Sequence, residues 1–469
     1  MKWEFRIFHR QLLRDALIPA SVSGRGGGSS ASAACVLVPC SHVGILYFVR
    51  SSPAGPVDGI SMRILMINQV FYPDVAATAQ HGHDLARHLV EQGHEVTAIS
   101  SRSLYGEKGA KLSSKEVIDG IEIHRVGRSL FGKTSIIARA LDFILFYLAA
   151  TWRALTLSKH DVVICFTTPP FITLAGLLLR VFKGTRVVCW VMDLYPDVPI
   201  VCGLMKRNSL SSRFFEWLSR FCLRSVDRNV VLGRCMKELI ESKGVPPEKI
   251  SLIGVWSDNS DVRGGGHETN EYRSEWGIGD RTLIMYSGNF GIGHDVDTFL
   301  DAALALRDDD RIRFAFVGGG KRKSTVESFV HEHGLEATCI LAPYQPRERL
   351  DELLSAADAH LVSLLPGREG VMVPCKLFGI LAVSRPALYV GPAESEISRV
   401  IVESDCGASV LPGDSADLVR AITSYADDPE FCGRVGERAR AALEAHHTME
   451  QRCTAWTSLL EDVVAGTSR

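Results

Sequence analysis

Two glycine-rich turns in the second half of the chain have the composition of anion-binding sites. Residues 287–293 read Ser-Gly-Asn-Phe-Gly-Ile-Gly, residues 318–323 read Gly-Gly-Gly-Lys-Arg-Lys, and each turn follows an apolar run. Glycine lets the main chain approach a ligand closely, and the free amides at the start of a helix attract an anion. Each turn alone is equally explained by a tight strand-to-helix connection, but the pair favours a nucleotide. The candidate ligands are Gly288, Asn289, Gly291, Lys321 and Lys323.

A polar turn also follows the apolar run that begins at Arg63. Its side chains Asn68, Gln69 and Tyr72 suit a polyhydroxylated ligand, although a capped loop would explain them too. The chain contains no Gly-x-x-x-x-Gly-Lys-Ser/Thr, and no Gly-x-Gly-x-x-Gly follows the first apolar run. A P-loop triphosphatase and a nicotinamide enzyme therefore have no support.

The elements that must position these turns alternate regularly. From Met62 onward, strand-like apolar runs alternate with helical patterns, which is typical of parallel sheets covered on both faces. We predict two Rossmann-like domains at 62–258 and 281–446, a linker at 259–280 and a C-terminal helix within 447–469 that crosses back to the first domain. Ligands of such α/β folds bind beyond the carboxyl ends of the strands, so function is expected in the cleft between the domains.

Length and charge agree with this division. A chain of 469 residues exceeds the roughly 250–300 that one hydrophobic core supports. The net charge of −2 gives no global positive field for nucleic acid, so no nucleic-acid partner is expected. The 12 cysteines include no Cys-x-x-Cys, which indicates a cytosolic, metal-free protein. Residues 1–61 differ in character from the rest, and we predict a disordered extension there.

Six motifs, taken in order, give the chain from Met62 to about Glu461 a family likeness. It resembles the retaining glycosyltransferases of family 4, group 1, which have the two-domain GT-B fold, and within them the WbuB-like branch. The motifs are Asn68-Gln69-Val70-Phe71-Tyr72-Pro73, Gly93-His94-Glu95-Val96, Thr168-Pro169-Pro170, Trp190-Val191-Met192-Asp193-Leu194-Tyr195-Pro196-Asp197, Tyr286-Ser287-Gly288-Asn289 and Val373-Pro374-Cys375-Lys376-Leu377-Phe378-Gly379. The resemblance implies hexosyl transfer from a nucleotide diphosphate sugar in the synthesis of exopolysaccharide or lipopolysaccharide.

Such a transfer needs positive charge at the departing diphosphate. We expect Lys376, held by the turn after Pro374, to supply it together with Lys321 or Lys323 and the Asn289–Gly291 amides. No cofactor and no metal ion are expected, because no metal-ligand cluster appears at useful spacing. Asp193 follows an apolar strand and is the candidate to hold an acceptor or sugar hydroxyl, although a helix-cap role explains it as well.

One departure from the family pattern concerns the ribose. Many members carry two glutamates eight positions apart before a Gly-x-Pro, and here Val371 and Gly379 occupy those positions. The segment 391–396 offers replacements, of which we select Ser395 and Glu396 as donor ligands; Glu394 is a further candidate.

The acceptor side is indicated by local charge. Residues 102–160 hold 10 Lys/Arg against 5 Asp/Glu, and residues 204–224 hold 5 against 1. Aromatic residues are interleaved with these charges, which predicts a peripheral protein on the inner face of the cytoplasmic membrane and a glycan or polyprenyl-diphosphate-linked acceptor. The aromatic residues in question are Phe131, Phe143, Phe146, Tyr147, Trp152, Phe214, Phe215, Trp217 and Phe221. About half of them are expected to be core residues instead.

Two alternatives stay open at this point. A GT-B nucleotide-sugar epimerase would use the same donor without an acceptor. A sugar-binding or scaffold protein without catalysis would be consistent with the missing pair of glutamates.

Overall fold

A computed structural model describes residues 61–74, 76–103, 112–127, 136–257 and 266–466. All but the last residue of the predicted extension lies outside this range. Phe131 and the first part of the predicted linker lie outside it as well.

The first half forms a sheet with helices on both faces. Its strand order is β3-β4-β2-β1-β5-β6-β7-β8, and every pair is parallel except β3 with β4. The strands are β1 Arg63–Ile67, β2 Glu95–Ser101, β3 Lys115–Ile118, β4 Ile121–Val126, β5 Val162–Cys165, β6 Arg186–Val191, β7 Arg228–Val231 and β8 Ile250–Leu252. The helices are α1 Ala77–Glu91, α2 Ile136–Thr156, α3 Thr173–Lys183, α4 Asp197–Val201, α5 Leu210–Ser225 and α6 Arg234–Ser242, with a 3₁₀ turn at Pro247–Lys249.

The second half forms a fully parallel sheet in the order β11-β10-β9-β12-β13-β14. Its strands are β9 Thr282–Asn289, β10 Ile312–Gly319, β11 Cys339–Ala342, β12 Ala359–Ser363, β13 Ala387–Val390 and β14 Gly407–Val410. Its helices are α7 Glu271–Glu275, α8 Asp297–Ala305, α9 Lys323–Glu332, α10 Leu350–Ala356, α11 Lys376–Ala382, α12 Glu396–Ser404, α13 Ser415–Asp427, α14 Pro429–His446 and α15 Met449–Ala465, with 3₁₀ turns at His267–Thr269 and Arg347–Arg349. The predicted fold class of two Rossmann-like parallel-sheet domains is confirmed.

Burial explains why these segments form central strands. Every residue of β5, β12 and β13 is buried, as expected for strands covered by helices on both faces. β3 differs because its residues alternate between exposed and half-buried at the sheet edge. Its short Lys-Glu-Val-Ile sequence lacks the apolar run that marks a buried strand, so β3 could not be predicted.

The last helix, α15, packs on the first domain. Trp456 of α15 lies against Trp190 of β6 with ring centroids 4.6 Å apart, and both side chains are fully buried. The chain therefore passes from the second domain back to the first at its C-terminal end.

Two sets of contacts join the halves near the carboxyl ends of their strands. The Leu194 amide, just after β6, donates to the Val371 carbonyl at 3.0 Å. Arg234, the first residue of α6, binds the carboxylate of Glu396, the first residue of α12. These contacts bring the loop that precedes α11 to the carboxyl end of β6.

Candidate functional site

The Asn289 turn and Lys376 form one structural unit. β9 runs through Gly288 to Asn289, and Gly288 adopts a φ of 130° that favours glycine. A β-carbon on Gly288 would lie 2.7 Å from Cε of Lys376, so the lysine side chain occupies the space that glycine leaves open. The absence of a side chain at this position thus positions the Lys376 ammonium at the turn.

The second glycine-rich turn packs directly on the first. A β-carbon on Gly318 would lie 2.0 Å from the Gly288 carbonyl oxygen, and one on Gly320 would lie 2.4 Å from Oδ1 of Asn289. The main chains of the two turns therefore touch at the carboxyl ends of β9 and β10. Gly291 continues the same unit, because a β-carbon there would lie 3.4 Å from Nδ2 of Asn289 and 3.5 Å from Cδ2 of His294.

The Lys376 ammonium has no carboxylate partner among the described residues. Its Nζ donates to the Tyr286 hydroxyl and lies 3.4 Å from the Asn289 carbonyl oxygen. No carboxylate in the described part of the chain forms an ion pair with it. Burial lowers the pKa of Lys376 to about 7 because the charged form loses solvation. A bound anion would give the Lys376 ammonium the favourable charge interaction that the described residues do not provide.

Two further basic side chains, which the sequence analysis missed, surround this position. Burial lowers the pKa of His294 to about 4, and the positive charges of Lys376 and Arg368 lower it as well. His294 Nδ1 lies 2.7 Å from the Ser363 carbonyl oxygen, and Arg368 donates to the Pro366 carbonyl oxygen at 2.8 Å. His294 follows the first glycine-rich turn and Arg368 lies between Gly367 and Gly370, which were the available signals.

Asp193 lies where the predicted acceptor side meets this unit. It directly follows Met192 at the end of β6, and the Thr167 hydroxyl oxygen accepts hydrogen bonds from the amides of both residues. Desolvation raises the pKa of the Asp193 carboxyl to about 6. The carboxylate also acts electrostatically on Cys375, the residue before Lys376. Asp193 and Lys376 therefore belong to the same region between the domains.

A small open pocket adjoins Asp193. β6 contributes Cys189 and Val191, the start of α3 contributes Phe171 and Thr173, and the inner side of α5 supplies further apolar groups. The carboxylate thus sits in a pocket with mostly apolar walls, which is the physical cause of its raised pKa.

The polar turn after β1 contains the buried side-chain amide of Asn68. Asn68 is 1% exposed, and neither its Oδ1 nor its Nδ2 has a hydrogen-bond partner among the described residues. Nearby, Tyr72 stacks on His83 with ring centroids 4.3 Å apart. The Gln69 amide donates to the Thr168 carbonyl oxygen at 2.8 Å, which ties this turn to the one after β5.

Lys323 and Ser395, which were predicted to bind the donor, make contacts within the second domain. Nζ of Lys323 donates to the carbonyls of Phe316 and Ala342, which ties β10 to β11, and lies 5.3 Å from the ring centroid of Phe290 in the first turn. The Ser395 hydroxyl caps α12 and donates to Tyr389.

Glu396 has a different partner from the predicted ribose. It accepts from the Arg234 amide at 2.6 Å and from the Arg234 guanidinium, and so caps α6 of the opposite domain. Lys321 is exposed beside the second turn, and Pro374 is buried two residues before Lys376.

Among the described residues there is neither a metal cluster nor a membrane-spanning helix. No group of three or more His, Cys, Asp or Glu side chains there is arranged to hold a metal ion. None of the helices in that part of the chain has both the length and the hydropathy of a membrane-spanning segment.

Comparisons with known proteins address the family. Residues 77–256 match the model of the glycosyl transferase 4-like domain, and residues 268–442 match that of glycosyl transferases group 1. The probable glycosyltransferase WbjE of Pseudomonas aeruginosa is 31% identical over 291 residues, which cover 61% of this chain and 70% of WbjE. The chain is a group 1 glycosyltransferase. This glycosyltransferase is also 25% identical over 403 residues to the putative colanic acid biosynthesis glycosyl transferase WcaI of Escherichia coli K12, covering 83% of this chain and 98% of WcaI.

Solved structures agree on the fold of this glycosyltransferase. Sucrose-phosphate synthase from Thermosynechococcus elongatus superimposes with a TM-score of 0.69 at 15% identity, covering 86% of this chain and 100% of the synthase. Anabaena HepE in complex with UDP-glucose gives a TM-score of 0.65 at 12% identity, covering 86% of this chain and 100% of HepE. At these identities the likeness establishes the GT-B fold alone.

Proposed function

We propose that this glycosyltransferase moves a hexosyl group from a nucleoside diphosphate sugar to a glycan or polyprenyl-diphosphate-linked acceptor during synthesis of a cell-surface polysaccharide. The observation that carries the proposal is the half-buried Lys376 ammonium, which lies at the Asn289 turn without a carboxylate partner in the described residues. The names of WcaI and of the HepE complex, a colanic acid enzyme and a UDP-glucose complex, support the same substrate classes.

In this proposal the second domain binds the donor and stabilises the leaving group. Charge develops on the diphosphate as the bond to the sugar breaks, and preorganised cations and amides there lower the barrier. Lys376 and Arg368 supply the positive charge that a metal ion supplies in other enzymes, and the amides of Asn289 and Gly291 donate hydrogen bonds. The Phe290 amide between them already donates to the Gly319 carbonyl oxygen at 2.7 Å. No cofactor is included, and Lys321 is kept as an outer contact to the phosphates.

The first domain holds the acceptor. Its hydroxyl would donate a hydrogen bond to the Asp193 carboxylate, and the departing phosphate would take the proton in a front-face reaction with retention. The unpartnered amide of Asn68, together with Gln69 and the Tyr72–His83 stack, would bind the hydroxyls of the acceptor sugar. Retention and membership of the WbuB-like branch rest on the sequence motifs.

An apolar surface on the first domain supports an acceptor at a membrane. Twelve of the 21 large hydrophobic side chains that are exposed in the described residues lie on α2, α3 and α5, which are neighbouring helices. Trp152 is 72% exposed and Trp217 is 60% exposed, whereas Phe146 is buried in the core. With the basic segment 204–224, this surface suits a protein that lies peripherally on anionic lipid at the cytoplasmic side.

The decisive experiment follows donor, acceptor and product separately. Nucleoside diphosphates and their sugars are screened for protection against thermal unfolding, since a ligand of the native state raises its stability. Nucleoside diphosphate release is then measured with and without a lipid-linked acceptor, and the anomeric configuration of the product is read by NMR. We expect release that depends on the acceptor, and its loss in Lys376→Met but not in the control Lys249→Met.

The same experiment separates the alternatives. A changed nucleotide sugar without an acceptor would indicate an epimerase. Binding without release, even with the lipid acceptor, would indicate a sugar-binding protein, and either result would refute the proposal.

The membrane part has its own test. Sedimentation with vesicles of anionic lipid at low salt is expected to retain the protein and to lose it in Trp217→Ser. Val402→Ser, at an exposed position on α12, is the matched control. Equal sedimentation of both variants with the wild type would contradict the membrane surface.

A further inference from the structure

Tyr286 lies directly beneath the Lys376 ammonium. Its side chain is fully buried in β9, and its hydroxyl donates to the Asn289 carbonyl oxygen at 2.8 Å. The same hydroxyl accepts a hydrogen bond from Nζ of Lys376. The ammonium also lies 3.8 Å from the centroid of the Tyr286 ring.

This arrangement fixes the direction of each hydrogen bond. A phenol has one hydrogen, and Tyr286 uses it on Asn289, so an oxygen lone pair remains for Lys376. Burial raises the pKa of Tyr286, so the phenol stays protonated and serves as a neutral acceptor. Ring and hydroxyl together attract the cation, one by its π-face and the other by a hydrogen bond.

The other groups around Lys376 give it little negative charge. Cys375 precedes it on the chain, His294 and Arg368 approach from two loops, and Asp193 of the first domain acts on Cys375. None of the described carboxylates forms an ion pair with the ammonium. Tyr286 is therefore a principal side-chain contact that favours the charged form.

We propose that Tyr286 is a positioning residue that keeps the Lys376 side chain protonated and directed at the diphosphate subsite. The inference rests on the proposed function and deepens it, because a buried residue that does not contact the substrate would hold the Lys376 ammonium in place and keep it charged. Tyr286 transfers no proton in this role.

The first test reads Lys376 directly and needs no substrate. Competitive amine labelling of the full chain at a series of pH values, followed by peptide mass spectrometry, gives the proton affinity of Lys376. We expect Tyr286→Phe, which keeps the ring and removes the hydroxyl, to lower that affinity by about tenfold. Tyr425→Phe, at a buried tyrosine on α13, is the control and is expected to leave it unchanged.

A second variant and a second readout cover a failure of Tyr286→Phe to fold. A fluorinated tyrosine incorporated at position 286 keeps the shape but weakens the oxygen as an acceptor, so it should lower the proton affinity of Lys376 in the same direction. UDP affinity of Tyr286→Phe should fall more above neutral pH than below it, because fewer Lys376 side chains stay charged.

The outcomes separate the two proposals. An unchanged Lys376 titration in both Tyr286 variants overturns the positioning role and leaves the donor site intact. Failure of UDP and of GDP to protect Lys376 of the wild type from labelling overturns the donor site itself.

Discussion

Replacing Lys376 with methionine should stabilise the ligand-free protein while abolishing donor binding. The fold lowers the pKa of Lys376 from 10.5 to about 7, and each factor of ten in proton affinity corresponds to about 1.4 kcal/mol. At pH 7 the Lys376 side chain is fully protonated in the unfolded chain and about half protonated in the folded protein. Its lowered pKa therefore reduces the free energy of unfolding by at most about 4 kcal/mol. Because the side chain is partly hydrated, we expect Lys376→Met to raise the free energy of unfolding by about 1–2 kcal/mol.

The pH dependence of this gain has a definite sign. A lysine whose pKa is lower in the fold binds fewer protons there than in the unfolded chain, so wild-type stability rises with pH between about 7 and 10.5. The advantage of Lys376→Met over the wild type is therefore largest below pH 7 and shrinks as pH rises.

Urea unfolding at several pH values measures the difference, with Lys249→Met as the control for loss of a lysine. If Lys376→Met is less stable than the wild type, or if its gain in stability does not change with pH, Lys376 is not a destabilising buried cation in the ligand-free protein. If Lys376→Met still binds the donor, Lys376 is not the diphosphate ligand.

Three further predictions concern other parts of the site. Asp193→Asn should lower kcat/KM by at least about tenfold and remove the rise of the wild-type profile near pH 6, where Asp193 ionises; an unchanged profile would exclude this carboxylate. Arg234→Ala breaks the contact with Glu396 between the domains, so the free energy of unfolding should fall by about 1 kcal/mol. Small-angle scattering should then report a larger radius of gyration, and an identical radius would show that this contact does not hold the domains together. Gly320→Ala should cost about 1–3 kcal/mol in urea unfolding, because φ is 129° and the new β-carbon would meet Asn289; a neutral effect would show that the turns can separate.

Much of the fold was predictable because buried parallel strands have a strong sequence signal. β6 is an apolar run after its first residue, β12 is fully buried although it contains His360 and Ser363, and the glycine turn after β9 marks the carboxyl edge of its sheet. β3 was missed because an edge strand paired on one side needs no buried run. Edge pairing depends on its neighbour β4 and not on its own composition.

The site was predictable in its main-chain turns and less so in its charged side chains. Gly288, Asn289 and Lys376 come together because a strand end and a helix start must meet at one edge of the sheet. Lys323 has the same composition signal but binds carbonyls of β10 and β11 instead.

Contacts between the two domains could not be predicted from the sequence for a related reason. Glu396 and Arg234 are 162 residues apart, and only the packing of α6 against α12 makes them partners. His294 and Arg368 lie outside the six motifs, and Tyr286 opens one of them without any sign in the sequence that its hydroxyl contacts Lys376.

The most direct test of the central claim is a crystal structure of the full chain with UDP, or with GDP if the screen selects it. We expect diphosphate oxygens within hydrogen-bond distance of Lys376 Nζ and of amides in the Asn289–Gly291 turn, with Asp193 across the gap. A nucleotide bound elsewhere, with Lys376 still held by Tyr286 and untouched by phosphate, would contradict it.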